Sequence, residues 1–234
     1  MEQYDVVYIL KKDVRPDELR YSLRSLEKFM EFRRVWFYCG LPEGIVPDRY
    51  VEHKQLGASK WERARSSLLE ACGNEGLTPS FWLFNDDFYL LQPWTSEEPL
   101  HRGQLRDHIA SVEARHGGRM SGYTRQLRTC ERMLKRAGLT TLDYTLHAPM
   151  LIDRKKMIEA LEAFPNCPMF RSLYGNYAGI GGAYCEDNKV ATVGGKSKPG
   201  AAFLSSGDKA FKSLQPFLEG IFPEPSRFEV VNED

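Results

Sequence analysis

Hydrophobic and polar positions follow two regimes over the first hundred residues: short unbroken apolar runs, and longer stretches where apolar residues recur every three or four positions. Asp5-Val6-Val7-Tyr8-Ile9-Leu10 is the first run, and its lack of a polar face predicts a strand covered on both sides. Pro16-Asp17-Glu18 supplies a proline and two acids, a good helix opening. Leu19, Leu23, Leu26 and Met30 then make one apolar stripe at helical spacing. Arg34-Val35-Trp36-Phe37-Tyr38-Cys39 is a second strand, closed by Gly40 and the Pro42-Glu43-Gly44 turn. Tyr50-Val51 is a weak third strand, and residues 59–72 predict a helix ended by Gly73-Asn74. Ser80-Phe81-Trp82-Leu83-Phe84 is the next apolar run and stops abruptly at Asn85-Asp86-Asp87.

Beyond Pro93-Trp94 the pattern changes. Residues 104–116 and 124–137 predict two basic helices separated by Gly117-Gly118. An apolar run at Met150-Leu151-Ile152 precedes a predicted helix over 153–164. Glycines crowd residues 175–195, which predicts loop with one short strand at 189–193. A last helix is expected over 207–218, with Ala210, Phe211, Leu214 and Leu218 at helical spacing, followed by an extended tail. Strands alternating with helices imply an α/β fold with a mostly parallel, Rossmann-like sheet flanked by helices and a basic helical insert. One domain over 1–234 is expected, with halves at 1–100 and 138–234 around an insert at 101–137.

Composition adds boundaries. At 234 residues and 42% hydrophobic, the chain can bury a sizeable core. No stretch reaches the roughly 20 apolar residues of a membrane-spanning helix, and the amino terminus enters its first strand without a basic or apolar leader. Five scattered cysteines with no C-x-x-C argue against a structural zinc site or redox dithiol and fit a reduced, cytoplasmic setting. Thirty-two basic residues balance thirty-two acids, but residues 101–136 hold nine Lys/Arg against three acids, a local charge of +6. That segment is either a solvated helical face or a surface for an anionic partner.

The chemistry concentrates after the fourth apolar run. In open α/β sheets ligands bind beyond the carboxyl ends of the strands, where Asp86 and Asp87 fall. Strand tips also carry acids as turn formers. Here, however, Phe88-Tyr89-Leu90-Leu91 resumes the apolar stretch at once, so two adjacent carboxylates repel unless a cation or donors offset them. Hard oxygen ligands suit Mg²⁺ or Mn²⁺ bridging phosphate. Glu18 and Arg20 open a helix beyond the first strand, a position for contacting a nucleotide or a merely solvated turn. Lys60, Arg63 and Arg65 start another helix and can hold phosphate, or lie on a surface face. Asp208 is a candidate first-turn acid of the last helix. No G-x-S-x-G, Walker A, G-x-G-x-x-G or H-E-x-x-H signature is present.

Taken in order, several blocks resemble the Stealth family of sugar-phosphate transferases and related short phage and bacterial glycosyltransferases. Asp5-Val6-Val7-Tyr8 is similar to the first block, and Glu18-Leu19-Arg20-Tyr21-Ser22-Leu23-Arg24-Ser25-Leu26-Glu27 and Asn85-Asp86-Asp87-Phe88 to the start and end of the second. His147-Ala148-Pro149-Met150-Leu151-Ile152-Asp153 with Arg171-Ser172 resembles the third, and Phe222-Pro223-Glu224-Pro225-Ser226-Arg227-Phe228-Glu229 the end of the fourth. The resemblance implies a GT-A-like fold, a divalent metal (Mn²⁺ or Mg²⁺) at Asp86 and Asp87, and catalytic roles for Asp87, His147, Arg171 and Asp208. Together with the helix-start position of Lys60, it places Tyr8, Glu18, Arg20, Arg24, Lys60 and Asn85 around a UDP- or GDP-sugar donor. Two departures stand out: Ile9-Leu10-Lys11-Lys12-Asp13 replaces the usual Trp-Val-Asn/Asp-Gly continuation, and Ser205-Ser206-Gly207-Asp208 replaces an Asn-Asp pair.

Three readings follow. The first is a metal-dependent glycosyltransferase moving a sugar to a hydroxyl acceptor, either a glycan or a modified base in phage DNA, in the host cytoplasm if phage-encoded. The second is Stealth-type transfer of a sugar 1-phosphate, with His147 as base and Arg171 as clamp. The third is a nucleic-acid-binding protein without catalysis, using Arg125, Arg128 and Arg132 on phosphate.

Overall fold

A computed structural model describes residues 3–230 of the chain. The elements run β1 (Asp5–Ile9), α1 (Pro16–Phe29), β2 (Val35–Tyr38), β3 (Arg49–Val51), α2 (Lys60–Gly73), β4 (Ser80–Phe84), β5 (Phe88–Leu90) and β6 (Leu100–His101). They continue with α3 (Leu105–Arg115), α4 (Gly122–Arg136), β7 (Met150–Asp153), α5 (Arg154–Ala163), α6 (Phe170–Tyr177), β8 (Ala183–Tyr184), β9 (Lys189–Val190), β10 (Phe203–Ser206) and α7 (Phe211–Ile221). The main sheet has the order β3-β2-β1-β4-β7; the first four strands are parallel and β7 is antiparallel to β4.

The apolar runs lack a polar face because both faces of this sheet are covered. Val6 and Tyr8 of β1 pack with Leu19, Leu23 and Leu26 of α1, while Val7 packs on the other side with Leu68, Ala71 and Cys72 of α2. Each of the three fully buried α1 leucines contributes about 2 kcal/mol by leaving water. Ser59 caps α2 with a capping box completed by Glu62, which explains where that helix starts. The two basic helices form as expected, and Leu105, Ile109, Leu127 and Leu134 bind them into the same core as α2. Among the described residues no helix is long and apolar enough to cross a membrane.

Three differences lie in the second half. The predicted glycine-rich loop begins inside α6, because Gly175 is a packing residue there: a Cβ would come within 2.4 Å of the Tyr144 ring. Phe203–Ser206 is a strand that its own short pattern does not announce; it forms because it pairs antiparallel with β5 and parallel with β9 in a second sheet. As a result the last helix starts at Phe211, and Asp208 lies in the preceding turn instead of the helix's first turn.

Candidate active site

β4 ends in a tight turn, with Phe88 N–H donating to Asn85 O at 3.3 Å, and the chain then leaves the main sheet to enter the second one as β5. Asp86 and Asp87 therefore stand between the two sheets, at the carboxyl edge of the parallel strands. On the same edge β2 closes through Cys39, a non-glycine residue at φ 80°, with Gly40 N–H donating to Tyr38 O. This is a strained γ-turn of the kind that concentrates at functional sites. Gly40 is needed there, since a Cβ would sit 2.0 Å from Lys11 O. That close approach holds the Lys11 loop near Asp86, whose carboxyl feels the Lys11 charge.

The second sheet completes a carboxylate cluster. Asp87 Oδ2 accepts a hydrogen bond from Ser205 Oγ at 2.8 Å and another from Lys189 Nζ at 3.3 Å. Glu18, in the first turn of α1, accepts from Ser206 Oγ at 2.6 Å. Burial lifts the Glu18 carboxyl to about 7; the Ser206 bond opposes the rise, and the charges of Asp86, Asp87 and Asp208 add to it. Asp86 is raised above the usual carboxylate range, first by burial and then by Asp87, against the pull of Lys11 and Lys60. Four carboxyl groups thus share one field, and among the described residues only Lys189 bonds directly to any of them as a cation.

Beside this cluster lies a histidine–carboxylate pair. His147 Nδ1 and Asp187 Oδ2 are in hydrogen-bond contact at 2.8 Å, and Asp187 Oδ1 accepts the backbone N–H of His147 at 3.1 Å. The His147 ring meets Phe88, the residue after Asp87, edge to face at 6.2 Å. Arg171 lies 5.4 Å from the centre of the same Phe88 ring. Its guanidinium donates to Leu146 O at 2.6 Å and Ala148 O at 2.5 Å, bracing the backbone on both sides of His147. Burial lowers the Arg171 pKa to about 10, against the opposing charges of Asp187 and Asp87.

Asp86, Asp87, Glu18, Lys60, Asp208, His147 and Arg171 are accordingly brought within one field, and Asn85 is exposed in the turn itself. Other predicted residues go elsewhere. Tyr8 is fully buried in the α1-side core and spends its hydroxyl on Ser22 at 2.9 Å, so its side chain supports the strand and offers nothing to a ligand. Arg24 makes two 2.7 Å bonds to Glu229, and Arg20 lies 3.8 Å from the same carboxylate; both hold the carboxyl-terminal segment instead of a nucleotide. Arg65 donates to Leu161 O, and Arg63 to Ala58 O in its own helix's approach. Arg125 and Arg132 are exposed on α4, whereas Arg128 is engaged by Glu113 at 2.9 Å. Asp187, Lys189, Ser205, Ser206 and Arg102 carry no recognisable sequence signal for their places here.

The donor set can be tested against a divalent cation. Among the described residues no three His, Cys, Asp or Glu side chains are grouped as a ligand set. A Mg²⁺-type ion needs only one or two carboxylates, because water and substrate phosphate supply the rest. Asp86 and Asp87 meet that requirement with oxygen ligands alone, and their mutual repulsion is what such an ion would relieve.

A mainly parallel sheet, covered on both faces and carrying paired acids where one strand crosses to a second, smaller sheet, defines a GT-A-like fold. Two solved structures share it over 98% of this chain and 98% of theirs. One is the galactosyltransferase LgtC in complex with donor and acceptor sugar analogs, the other an active-site mutant of LgtC; each gives a TM-score of 0.51 at 11% identity. No protein-family model matches the chain, and no curated protein matches it in sequence.

Proposed function

We propose that this protein is a glycosyltransferase that moves a sugar from a UDP- or GDP-sugar to a hydroxyl acceptor. The observation carrying the reading is the carboxylate turn Asp86-Asp87, set at the carboxyl edge of a GT-A-like sheet and met there by Glu18 and Ser205. Residues 1–100 supply the donor side and residues 138–234 the acceptor side, with 101–137 as an insert. Asp86 and Asp87 would hold Mn²⁺ or Mg²⁺, which supplies Lewis-acid charge to a departing nucleotide diphosphate. Lys60 and Lys11 add positive charge on the flank of Asp86. The acceptor hydroxyl needs a carboxylate base, for which Asp208 and Asp87 are the candidates; Asp208 is exposed and is the freer, because Asp87 is already occupied by Ser205 and Lys189.

Stealth-type sugar 1-phosphate transfer is the second reading, and the paired His147 supports it. Arg171 spends one N–H of each terminal nitrogen on a backbone carbonyl and so orders the His147 loop, while its buried Nε is left without a partner. Incubation with Mn²⁺ and a panel of nucleotide-sugars, read by mass spectrometry, separates the two. Free nucleoside diphosphate is the expected product; nucleoside monophosphate would establish phosphoryl transfer instead.

For the acceptor, a glycan hydroxyl is favoured by analogy with the sugar-acceptor complex of LgtC. A base in DNA has one supporting feature, the exposed Arg125 and Arg132 of α4. If DNA is the acceptor, joint replacement of Arg125, Arg128 and Arg132 by alanine weakens DNA binding and leaves nucleotide-sugar binding intact. Unchanged DNA affinity in that variant excludes this acceptor. Five free thiols among the described residues suit a reducing, cytoplasmic workplace.

A further inference from the structure

We propose that Asp187 is the positioning residue of His147, fixing its proton on Nδ1 and leaving Nε2 as the acceptor nitrogen beside the carboxylate turn. The assignment concerns a residue with no role so far and rests on the reading that His147 belongs to the active site. Asp187 grips His147 twice, through the ring Nδ1 at 2.8 Å and through the backbone N–H at 3.1 Å, so ring and main chain are oriented together. Its side chain is only 10% exposed and is itself anchored by Arg102 Nη1 at 3.4 Å. Burial alone would raise the Asp187 carboxyl, but the bonds and charge of His147, joined by Arg102, outweigh it and hold the group below the usual carboxylate range. An ionised carboxylate has no proton to give, so the hydrogen of the 2.8 Å contact sits on Nδ1. Among the described residues Nε2 has no hydrogen-bond partner, and 27% of the His147 side chain is exposed.

A second pair in the same molecule provides an internal contrast. His108 Nδ1 contacts Asp143 Oδ2 at 2.5 Å, and Arg102 lies 3.9 Å from Asp143 as well as 3.4 Å from Asp187. His108 is closed off, with 3% of its side chain exposed, and packs against Tyr123. One arginine therefore supports two histidine–carboxylate pairs, of which only the His147 pair is partly open to solvent.

The two-point grip makes a specific prediction for Asp187→Asn. Only one amide atom can accept, and the backbone N–H of His147 requires it. The amide NH₂ then faces the ring and donates to Nδ1, forcing the proton onto Nε2. Long-range ¹H–¹⁵N spectra of histidine-labelled protein should show His147 as the Nδ1–H tautomer in the native chain and Nε2–H in the variant, with His108 unchanged. Donor turnover should fall by about 10- to 100-fold, the scale for losing a partner that orients a side chain of the site, with little change in donor KM.

An Nε2–H tautomer in the native protein would overturn the proposal without any variant being needed, as would an unchanged tautomer in Asp187→Asn. A switched tautomer with full turnover would also overturn it as a positioning role, while leaving the transferase reading intact. If the native chain turned over no donor at all, the transferase reading would fail, and the tautomer would still decide what Asp187 does.

Discussion

Replacing Asp87 with alanine is expected to cut nucleotide release from the donor by on the order of 10³-fold or more, the scale for removing a group that organises charge on a leaving phosphate. The loss follows from position: Asp87 is the point where the main sheet, through β4, meets the second sheet, through Ser205 and Lys189. The cost in stability is expected to be small. Alanine removes one hydrogen bond to a charged group and one partly exposed ion pair, together about 2–4 kcal/mol, and relief of the repulsion between Asp87 and Asp86 offsets part of this to leave about 1–2 kcal/mol. For a chain of this length that lowers the melting temperature by roughly 2–8 °C. Donor turnover and thermal melting of the same preparation check both halves. A collapse in melting temperature, with turnover per folded molecule preserved, would make Asp87 a structural residue and withdraw it from the site.

Glu18→Gln is expected to stabilise the protein at pH 8 and to impair it as an enzyme. In the unfolded chain Glu18 ionises near its ordinary 4.5, whereas in the folded chain it does so at about 7. Between those values the folded state holds the extra proton, so this residue's contribution to stability is greatest below pH 4.5. It declines as pH rises through the folded value and is flat above it. Discounted for solvent screening at a half-buried group, the full difference is worth about 1–2 kcal/mol as an order of magnitude, because the carboxylate must then coexist with Asp86, Asp87 and Asp208. Glutamine never ionises, and its amide oxygen still accepts the Ser206 hydroxyl. Urea denaturation should therefore give equal stabilities at pH 4 and a more stable variant at pH 8. A difference that does not change with pH would refute the assigned environment of Glu18. An unstable cluster retained at neutral pH is what a site built to receive a cation or donor requires.

Much of the first half of the molecule is readable from local pattern. The runs at Val6-Val7-Tyr8 and Phe81-Trp82-Leu83 announce buried strands, since a sheet covered on both faces leaves no polar positions. Ser59 and Glu62 mark the start of α2 by chemistry confined to one helical turn. The acidic pair is readable too, because Asp86 and Asp87 interrupt an apolar stretch that continues in β5. Arg24 and Tyr8 show the limit of block resemblance. A matching residue type does not reveal that Glu229, 205 positions away, claims the arginine, or that Tyr8 points into the core.

What the sequence by itself determined, then, is the layered α/β architecture, the two basic helices and the place of the carboxylates at a strand's end. Each depends on contacts within a few residues or on a repeating burial pattern. The tertiary structure alone decided what those carboxylates meet. Ser205 comes from 118 residues beyond Asp87, Ser206 from 188 beyond Glu18, and Asp187 from 40 beyond His147. Short segments such as β10 and the 185–188 loop have too little pattern of their own to specify a partner. Their hydroxyl and carboxylate groups acquire a function only when strand pairing and core packing deliver them to the edge where buried charge needs compensation.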